Sequence, residues 1–212
     1  MNFKTFIFSP FQVNSYVLFD NTKECVIIDP ANFFDNEHSQ IDNFIEENGL
    51  TPTKIITTHN HLDHIFGAKY LTDKYNVDFM CHKDEVYWLD NFRSTCESYG
   101  ISIDYDASAA TSFINDGDII NFGNSKLQAV LVPGHSAGGL AFYAKNDELL
   151  FCGDILFQGS IGRTDLPGGN FEQLISGVKS KLFTLPDTTV VYPGHGLKTT
   201  IGEEKKSNPF FE

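Results

Sequence analysis

The sequence predicts an α+β fold in which two mixed β-sheets pack together and helices cover their outer faces. Strand-like and helix-like segments alternate irregularly in both halves of the chain, which does not suit one parallel sheet with regular crossovers. At 212 residues the chain is long enough for one well-buried core. No linker, low-complexity tract or repeat of solenoid length interrupts it. We therefore predict a single domain over residues 1–212.

The first half of the chain predicts strands followed by a helix. Three short runs rich in Phe, Val and Ile between residues 3 and 30 predict successive antiparallel strands, the third of which ends in Asp29-Pro30. Apolar spacing over residues 37–48 predicts a helix. A strand over residues 54–57 then leads directly into the heptapeptide Thr-His-Asn-His-Leu-Asp-His at residues 58–64, with a helix beginning near Asp63.

The rest of the chain predicts mixed secondary structure. Residues 65–75 and 83–99 are typical of helices, and residues 77–81 of a strand between them. Residues 100–112 have no clear period and predict a loop or flap. The remaining predicted elements are strands near Ile119 and over residues 127–132, 140–144, 149–152 and 189–192, and a helix over residues 171–183.

Charge and cysteine content exclude several classes of partner. A net charge of -13, from 28 acidic and 15 basic residues, would repel a nucleic-acid backbone or an anionic membrane. No apolar run is long enough to span a bilayer, and the N-terminus lacks a signal-peptide core. The four cysteines show no C-x-x-C spacing, so neither a disulfide frame nor a thiolate zinc site is expected. We predict a cytoplasmic protein with a small-molecule substrate, and the sequence leaves its oligomeric state open.

Residues 58–64 contain three of the chain's seven histidines. Three more donors follow predicted strands at distant positions, each beside glycine: His135, Asp154 and His195. Glycine lets the backbone approach a crowded centre closely. Imidazole and carboxylate without thiolate suit zinc, iron or manganese in a hydrolytic or oxidative centre. Seven donors shared by two ions leave room for a water molecule of lowered pKa.

These donors carry a resemblance to the metallo-β-lactamase superfamily. Residues 59–64 match its H-x-H-x-D-H signature, and His135, Asp154 and His195 match its later single-residue motifs in order. The resemblance covers nearly the whole chain. It implies an αββα sandwich with the metal site at one edge of the two sheets, and two divalent metal ions, Zn²⁺ in the first place, with iron or manganese as alternatives.

The resemblance also implies a role for each donor. His59, His61 and His135 would bind the first ion, Asp63, His64 and His195 would bind the second, and Asp154 would bridge the two. Asp63 and Asp154 would then be the catalytic carboxylates. Asp29 resembles the family's early aspartate, which orients a ligand without touching the metal. A plain turn carboxylate is the alternative interpretation of Asp29.

Within the superfamily the chain is most similar to short glyoxalase II-like (hydroxyacylglutathione hydrolase-like) enzymes. The similarity lies in residues 153–157, 160–169, 200–205 and 208–209. Exported di-zinc β-lactamases place cysteine where Asp154 stands, so penicillin hydrolysis is not expected. Long glyoxalase II enzymes continue into a helical C-terminal domain that helps hold glutathione, whereas this chain ends at Glu212. The resemblance therefore leaves the recognition of glutathione open.

The expected function is hydrolysis of a thioester, such as an S-acylglutathione, by a metal-bound hydroxide. A thiolate leaves readily, so neither a strong protein acid nor a serine or cysteine triad is needed. The alternatives are a mononuclear-iron, persulfide dioxygenase-like enzyme using His59, His135 and Asp154, a lactone hydrolase, and a non-catalytic metal-binding protein. Weak candidates for contact with an anionic substrate are Arg163, Lys198 and Lys205, which also suit ordinary surface ion pairs.

Several residues outside the motif are predicted to be structural. His38 and His82 lack neighbouring glycines at strand ends, so we expect ordinary surface or loop histidines. Tyr87, Trp88 and Phe92 have helical spacing and predict a core face rather than a substrate wall. Cys152 is expected to be a small buried hydrophobe and not a nucleophile.

Overall fold

The computed structural model describes residues 1–212, which form two compact units. Residues 1–113 and 121–125 form the first unit, and residues 114–120 and 126–212 form the second. Each unit is built on one six-stranded sheet and carries its own helices. None of the helices combines the length and the apolar character needed to cross a bilayer.

The first sheet contains six strands in chain order. They are β1 (Asn2–Phe8), β2 (Val13–Phe19), β3 (Glu24–Ile28), β4 (Thr51–Ile56), β5 (Asp78–Cys81) and β6 (Ser112–Phe113). Strands β1 to β3 are antiparallel, as predicted, and β3 to β6 are parallel. Because parallel neighbours end at the same edge of a sheet, the residues after β3 and β4 lie side by side. The amide of Asp29 donates to the carbonyl of Ile56 at 3.1 Å.

Four helices belong to the first unit: α1 (Asp35–Glu47), α2 (Ala68–Tyr75), α3 (Val86–Asp90) and α4 (Phe92–Ser98). Short 3-10 turns cover Leu62–His64 and Lys83–Glu85. A helical turn begins near Asp63, as predicted, but it is the 3-10 turn Leu62–His64, and the α-helix α2 starts only after Gly67. The amide of Gly67 donates to the carbonyl of Pro30 at 2.7 Å, which anchors the start of α2 beside the end of β3.

The prediction of one helix over residues 83–99 is wrong. Asn91 separates α3 from α4 with non-helical dihedral angles (φ -107°, ψ 14°). Its side-chain amide donates to the carbonyl of Tyr87 at 2.8 Å. A short polar side chain that bonds the backbone in this way competes with continuation of the helix.

The core of the first unit lies between its sheet and its helices. Ile27 and Ile55 of the sheet pack with Ile41 of α1, Leu71 of α2 and Phe92 of α4, and all five are at most 2% exposed. Each such burial contributes about 1.5–3 kcal/mol to stability. The core prediction is correct for Phe92 and wrong for Tyr87, which is 53% exposed. Helix α3 has only five residues, and the residue after Tyr87 turns inward instead.

The second sheet has the order β14-β13-β10-β9-β8-β7. In chain order its strands and a separate hairpin are β7 (Ile119–Phe122), β8 (Ser125–Leu131), β9 (Leu140–Ala144), β10 (Leu149–Gly153), β11 (Leu156–Phe157), β12 (Ser160–Ile161), β13 (Val190–Pro193) and β14 (Thr199–Thr200). Strand β10 is parallel to β13 and antiparallel to β9. The helices are α5 (Phe171–Ser180) and α6 (Ile201–Ser207), with 3-10 turns at Leu182–Thr184 and Pro209–Phe211.

The parallel pair β10 and β13 positions two of the predicted donors in the second unit. Asp154 directly follows β10, and His195 follows β13 by two residues. The amide of Gly194 donates to the carbonyl of Gly153 at 2.8 Å, which holds the two strand ends together. The predicted placement of these donors at strand ends is therefore found in the structure.

A partly buried carboxylate joins α1 to α2. Asp42 of α1 accepts hydrogen bonds from Tyr70, Lys74 and Tyr75 of α2. Burial alone would raise the pKa of Asp42, but the bonds from Lys74 and the two tyrosines outweigh it and lower that pKa below its ordinary value. Burial and the same carboxylate raise the pKa of Tyr75 far above its usual range.

We expect Asp42→Asn to lower the free energy of unfolding by about 2 kcal/mol at pH 7, since it removes a charged acceptor that three donors share. A carboxyl whose pKa is lowered by folding stabilises the protein above its unfolded pKa of roughly 4, and this contribution is lost as the pH falls through the folded value. The difference between wild type and variant should therefore shrink below about pH 4, as measured by urea denaturation.

Asp73→Asn is the matched control. Asp73 also pairs with a lysine of α2, Lys69, but its side chain is 64% exposed. An exposed pair of this kind contributes only a few tenths of a kcal/mol. An Asp42 variant that loses no more stability than the Asp73 variant would contradict this account of the α1–α2 contact.

Candidate metal centre

Four of the predicted donors lie in the first unit, between β4 and α2. His59 and His61 follow the end of β4, whereas Asp63 and His64 belong to the 3-10 turn Leu62–His64. The ligand atom of His59 lies within 4.8 Å of those of His61 and His64. Nε2 of His64 lies 3.9 Å from Oδ2 of Asp63. Two atoms bound tetrahedrally to one zinc ion at about 2.1 Å are roughly 3.4 Å apart, so these distances suit metal ligands.

Asp29 fixes the tautomer of His64. Its side chain is 1% exposed, and its Oδ2 lies 3.1 Å from Nδ1 of His64. An ionised carboxylate only accepts hydrogen bonds, so Nδ1 of His64 carries the proton. The lone pair is then on Nε2, the nitrogen nearer to Asp63. A carboxylate behind a histidine is the usual arrangement at metal sites.

Asp29 also acts on His59 through Thr58. Its Oδ1 accepts the amide of Thr58 and its Oδ2 accepts the hydroxyl of Thr58, both at 2.7 Å. The hydroxyl has one proton, which this bond uses, so it accepts from Nδ1 of His59 at 3.1 Å. Nε2 of His59 is then also free of a proton. One carboxylate therefore prepares two histidines for metal binding.

The other three donors lie in the second unit, where Asp154 contacts both histidines. Oδ2 of Asp154 lies 3.7 Å from Nε2 of His135 and 3.5 Å from Nε2 of His195. The His195 side chain is 30% exposed, against 4% for His135 and 13% for Asp154. His195 is the donor of this group that solvent and small molecules can reach most easily.

A main-chain carbonyl fixes the tautomer of His135. Nδ1 of His135 donates to the carbonyl oxygen of Arg163 at 2.7 Å. The carbonyl only accepts, so the lone pair of the neutral ring lies on Nε2, which faces Asp154. Gly162 makes this approach possible. A Cβ at that position would lie 1.9 Å from the carbonyl oxygen of Asp154 and 2.8 Å from Nδ1 of His135, so no side chain fits.

The three weak candidates for substrate contact lie on the surface. The guanidinium of Arg163 bonds both carboxylate oxygens of Asp165 at 2.7 Å and lowers the pKa of Asp165 to about 2. Lys205 pairs with Asp187 at 2.5 Å. Lys198 is exposed, three residues beyond His195. Arg163 and Lys205 thus form surface ion pairs, as their alternative interpretation states.

Two histidines lie outside the groups of potential metal donors. His38 is half-buried in α1, and its ring stacks on Tyr70 with centroids 4.0 Å apart. His82 lies in the loop between β5 and the turn Lys83–Glu85, as expected, but it is only 5% exposed. Its Nδ1 accepts the amide of Asp84 and so caps the turn Lys83–Glu85, which explains a polar side chain inside the protein.

All four cysteines are buried free thiols. Burial raises the pKa of Cys25 to about 12 and those of Cys81 and Cys96 to about 11, so these three are protonated at neutral pH. Thiolate is the form that binds metal or attacks a carbonyl. Cys152, two residues before Asp154, is 0% exposed, as expected for a small buried hydrophobe.

The family is now evident from comparison with known proteins. The model of the metallo-beta-lactamase superfamily matches residues 8–195. The chain is 38% identical to the probable metallo-hydrolase YqgX of Bacillus subtilis over 201 residues, 95% of this chain and 93% of that protein. It is 34% identical to the hydroxyacylglutathione hydrolase GloC of Haemophilus influenzae over 212 residues, 99% of this chain and 98% of that protein. The chain belongs to the metallo-β-lactamase superfamily.

Solved structures show the same fold. The crystal structure of BLEG-1, a B3 metallo-beta-lactamase, matches with a TM-score of 0.87 and 34% identity over 99% of both chains. TTHA1623 in a di-iron-bound form matches with a TM-score of 0.86 and 31% identity over 98% of this chain and 99% of that one. ETHE1 from Myxococcus xanthus matches with a TM-score of 0.80 and 29% identity over 99% and 84%. The predicted α+β class with two mixed sheets is confirmed.

We expect Asp29→Asn to lower zinc affinity by roughly 10–100-fold, because the amide cannot hold both Thr58 and His64 as a carboxylate does. Asparagine tolerates the left-handed backbone of Asp29 (φ 51°), so the fold should be retained. Thr58→Val should weaken zinc binding through His59, whereas Thr58→Ser keeps the hydroxyl and should not. Competition with a chromophoric chelator measures each affinity, and wild-type zinc binding by Asp29→Asn would refute the role given to Asp29.

Proposed function

We propose that this protein is a metal-dependent hydrolase of thioesters such as S-acylglutathione. The observation that carries the proposal is the pair of distances from Asp154 Oδ2 to Nε2 of His135 (3.7 Å) and of His195 (3.5 Å). Each distance is the separation expected for two ligands that share an ion, as a carboxylate between two ions would show on both sides. The hydrogen bonds on Nδ1 of His64 and His135 leave the lone pair of each ring on Nε2, which lies near Asp63 in one case and near Asp154 in the other. The relative GloC, named a hydroxyacylglutathione hydrolase, supports this choice of substrate.

The proposed centre holds two divalent ions, zinc in the first place. One ion would be bound by His59, His61 and His135, the other by Asp63, His64 and His195, and Asp154 would bridge them. When bound, such ions supply a water molecule with a pKa near 7 and positive charge for the carbonyl oxygen of the substrate. The donors fit this role, since they are imidazoles and carboxylates without a thiolate.

The chain's own residues would then orient the metal ligands, balance the charge of the ions and give the substrate access. Asp29 and the carbonyl of Arg163 hold three imidazoles in the tautomer that binds metal. Asp63 and Asp154 provide the negative charge that balances the cations. The exposed side of His195 gives the substrate its approach. A thiolate with a conjugate-acid pKa of roughly 8.5 can leave without a protein acid, and none of the buried thiols is required.

The setting we propose is the cytoplasm, with a small-molecule thioester or related acyl compound as the substrate. Free thiols in all four cysteines suit a reducing compartment. A net charge of -13 disfavours nucleic acid and anionic membranes. We propose that residues 1–212 act as one domain.

We expect zinc-loaded protein to hydrolyse S-D-lactoylglutathione, and His59→Ala and Asp154→Ala to lower kcat/KM by at least about 100-fold, since each removes a metal ligand. Removal of the metal with a chelator should abolish turnover and zinc should restore it. Thiol release measured with a chromogenic reagent follows the reaction. A panel of other thioesters, a lactone and a β-lactam defines the substrate class, and the absence of metal-dependent activity on any thioester would reject the proposal.

A second candidate is an oxidation at a single iron. Two histidines and one carboxylate, here His59, His135 and Asp154, are the set that suits oxygen chemistry at non-haem iron. The solved structure of TTHA1623 contains two irons, which favours iron as an occupant of this donor set. If this candidate is right, iron should copurify with the protein, and oxygen uptake should follow the addition of glutathione persulfide. If zinc copurifies and no oxygen is taken up, the oxidation is rejected and hydrolysis remains as the proposed reaction.

A further inference from the structure

We propose that Glu85 and Trp88 position the two metal-binding histidines His59 and His61, an inference that rests on the proposed metal centre. Both residues lie in the segment after β5, about 25 positions along the chain from the motif. Neither residue is one of the predicted metal ligands, and neither is part of a sequence motif. Three contacts connect this segment to the motif.

The first contact fixes the backbone between the two histidines. Oε2 of Glu85 accepts the main-chain amide of Asn60 at 2.8 Å. Glu85 and Asn60 are both 0% exposed. Asn60 is the residue between His59 and His61, so a rotation of its peptide plane would turn both imidazoles away from a shared ion. Burial of a carboxylate is unfavourable unless it is hydrogen-bonded, and Glu85 accepts its bond from the loop that carries His59 and His61.

The second contact uses the side chain of Asn60. Its Oδ1 accepts the hydroxyl of Thr57 at 2.6 Å, and its Nδ2 donates to the main-chain carbonyl of Glu85 at 3.3 Å. Thr57 directly follows β4. Asn60 is therefore tied to the end of a sheet strand on one side and to the turn Lys83–Glu85 on the other.

The third contact fixes a ring. The indole of Trp88 packs edge-to-face against the imidazole of His61, with centroids 4.5 Å apart and planes at 90°. Trp88 and His61 are 8% and 7% exposed. Perpendicular aromatic packing of this kind restricts rotation of the smaller ring. Trp88 is thus a core residue, as its spacing predicts, and its core contact is a metal-ligand candidate.

The proposal attributes the effect of Glu85 to its acceptor oxygen and not to its charge. Glutamine has the same length and keeps an acceptor for the Asn60 amide, whereas alanine removes it. Glu85→Gln should therefore retain zinc affinity within about threefold, and Glu85→Ala should lower it by roughly 10–100-fold. Trp88→Phe keeps an aromatic edge and should bind zinc more tightly than Trp88→Leu.

The experiment measures zinc affinity by chelator competition, the visible spectrum of the Co²⁺-substituted protein, and the imidazole nitrogen NMR shifts of His59 and His61 in the metal-free protein. We expect Glu85→Ala and Trp88→Leu to change all three and Glu85→Gln to change none. Glu37→Ala is the matched control. Glu37 is also buried and accepts three main-chain amides, those of Ser9, Phe33 and Phe34, but none of these residues is a predicted metal ligand. It should destabilise the fold but leave the zinc affinity and the histidine shifts unchanged.

Several results would overturn the proposal. They are wild-type affinity and shifts in Glu85→Ala, equal losses in Glu85→Ala and Glu37→Ala, or losses in Glu85→Gln as large as those in Glu85→Ala. Trp88→Leu decides the matter if Glu85→Ala does not fold. None of these readouts uses thioester turnover, so a protein that binds zinc but hydrolyses no thioester would refute the proposed reaction and leave the positioning result intact.

Discussion

The candidate centre of the first unit depends on the hydrogen bonds between Asp29 and Thr58. Strands β3 and β4 are parallel, so the residue that ends one strand meets the residue that leaves the other. The same carboxylate then sets the tautomers of His64 and, through Thr58, His59. Asp29 adopts a left-handed backbone (φ 51°), which costs an ordinary residue about 1 kcal/mol and aspartate less. That local strain places a single carboxylate behind two imidazoles.

The second unit reaches a similar result with main-chain groups. Strands β10 and β13 are parallel, and the bond between Gly194 and Gly153 brings Asp154 and His195 to the same edge. His135 is oriented by a carbonyl oxygen, and the missing side chain at Gly162 leaves space for that approach. In both units the sheet supplies position, and a hydrogen bond on Nδ1 supplies the chemical form of the ring.

Strand ends and donor types could be predicted because each leaves a local signal: an apolar run, a glycine and then a polar side chain. The break at Asn91 could not, since it depends on one side-chain bond inside a helix-like pattern. Burial of His82 depends on a cap that only the fold shows. Thr58 directly precedes the H-x-H-x-D-H signature, and a hydroxyl at that position is a local signal that could predict a partner for His59. The two-residue strands β6, β11, β12 and β14 are too short to show any period.

The contact between His135 and residue 163 has a consequence for how such a site can diverge. The acceptor is a peptide carbonyl, which every amino acid carries, while the guanidinium of Arg163 pairs with Asp165 on the surface. Replacement of Arg163 by another residue leaves the acceptor in place. Position 163 can therefore drift in sequence between relatives while the orientation of His135 is inherited unchanged, and comparison of side chains alone would overlook one of the contacts that define the centre.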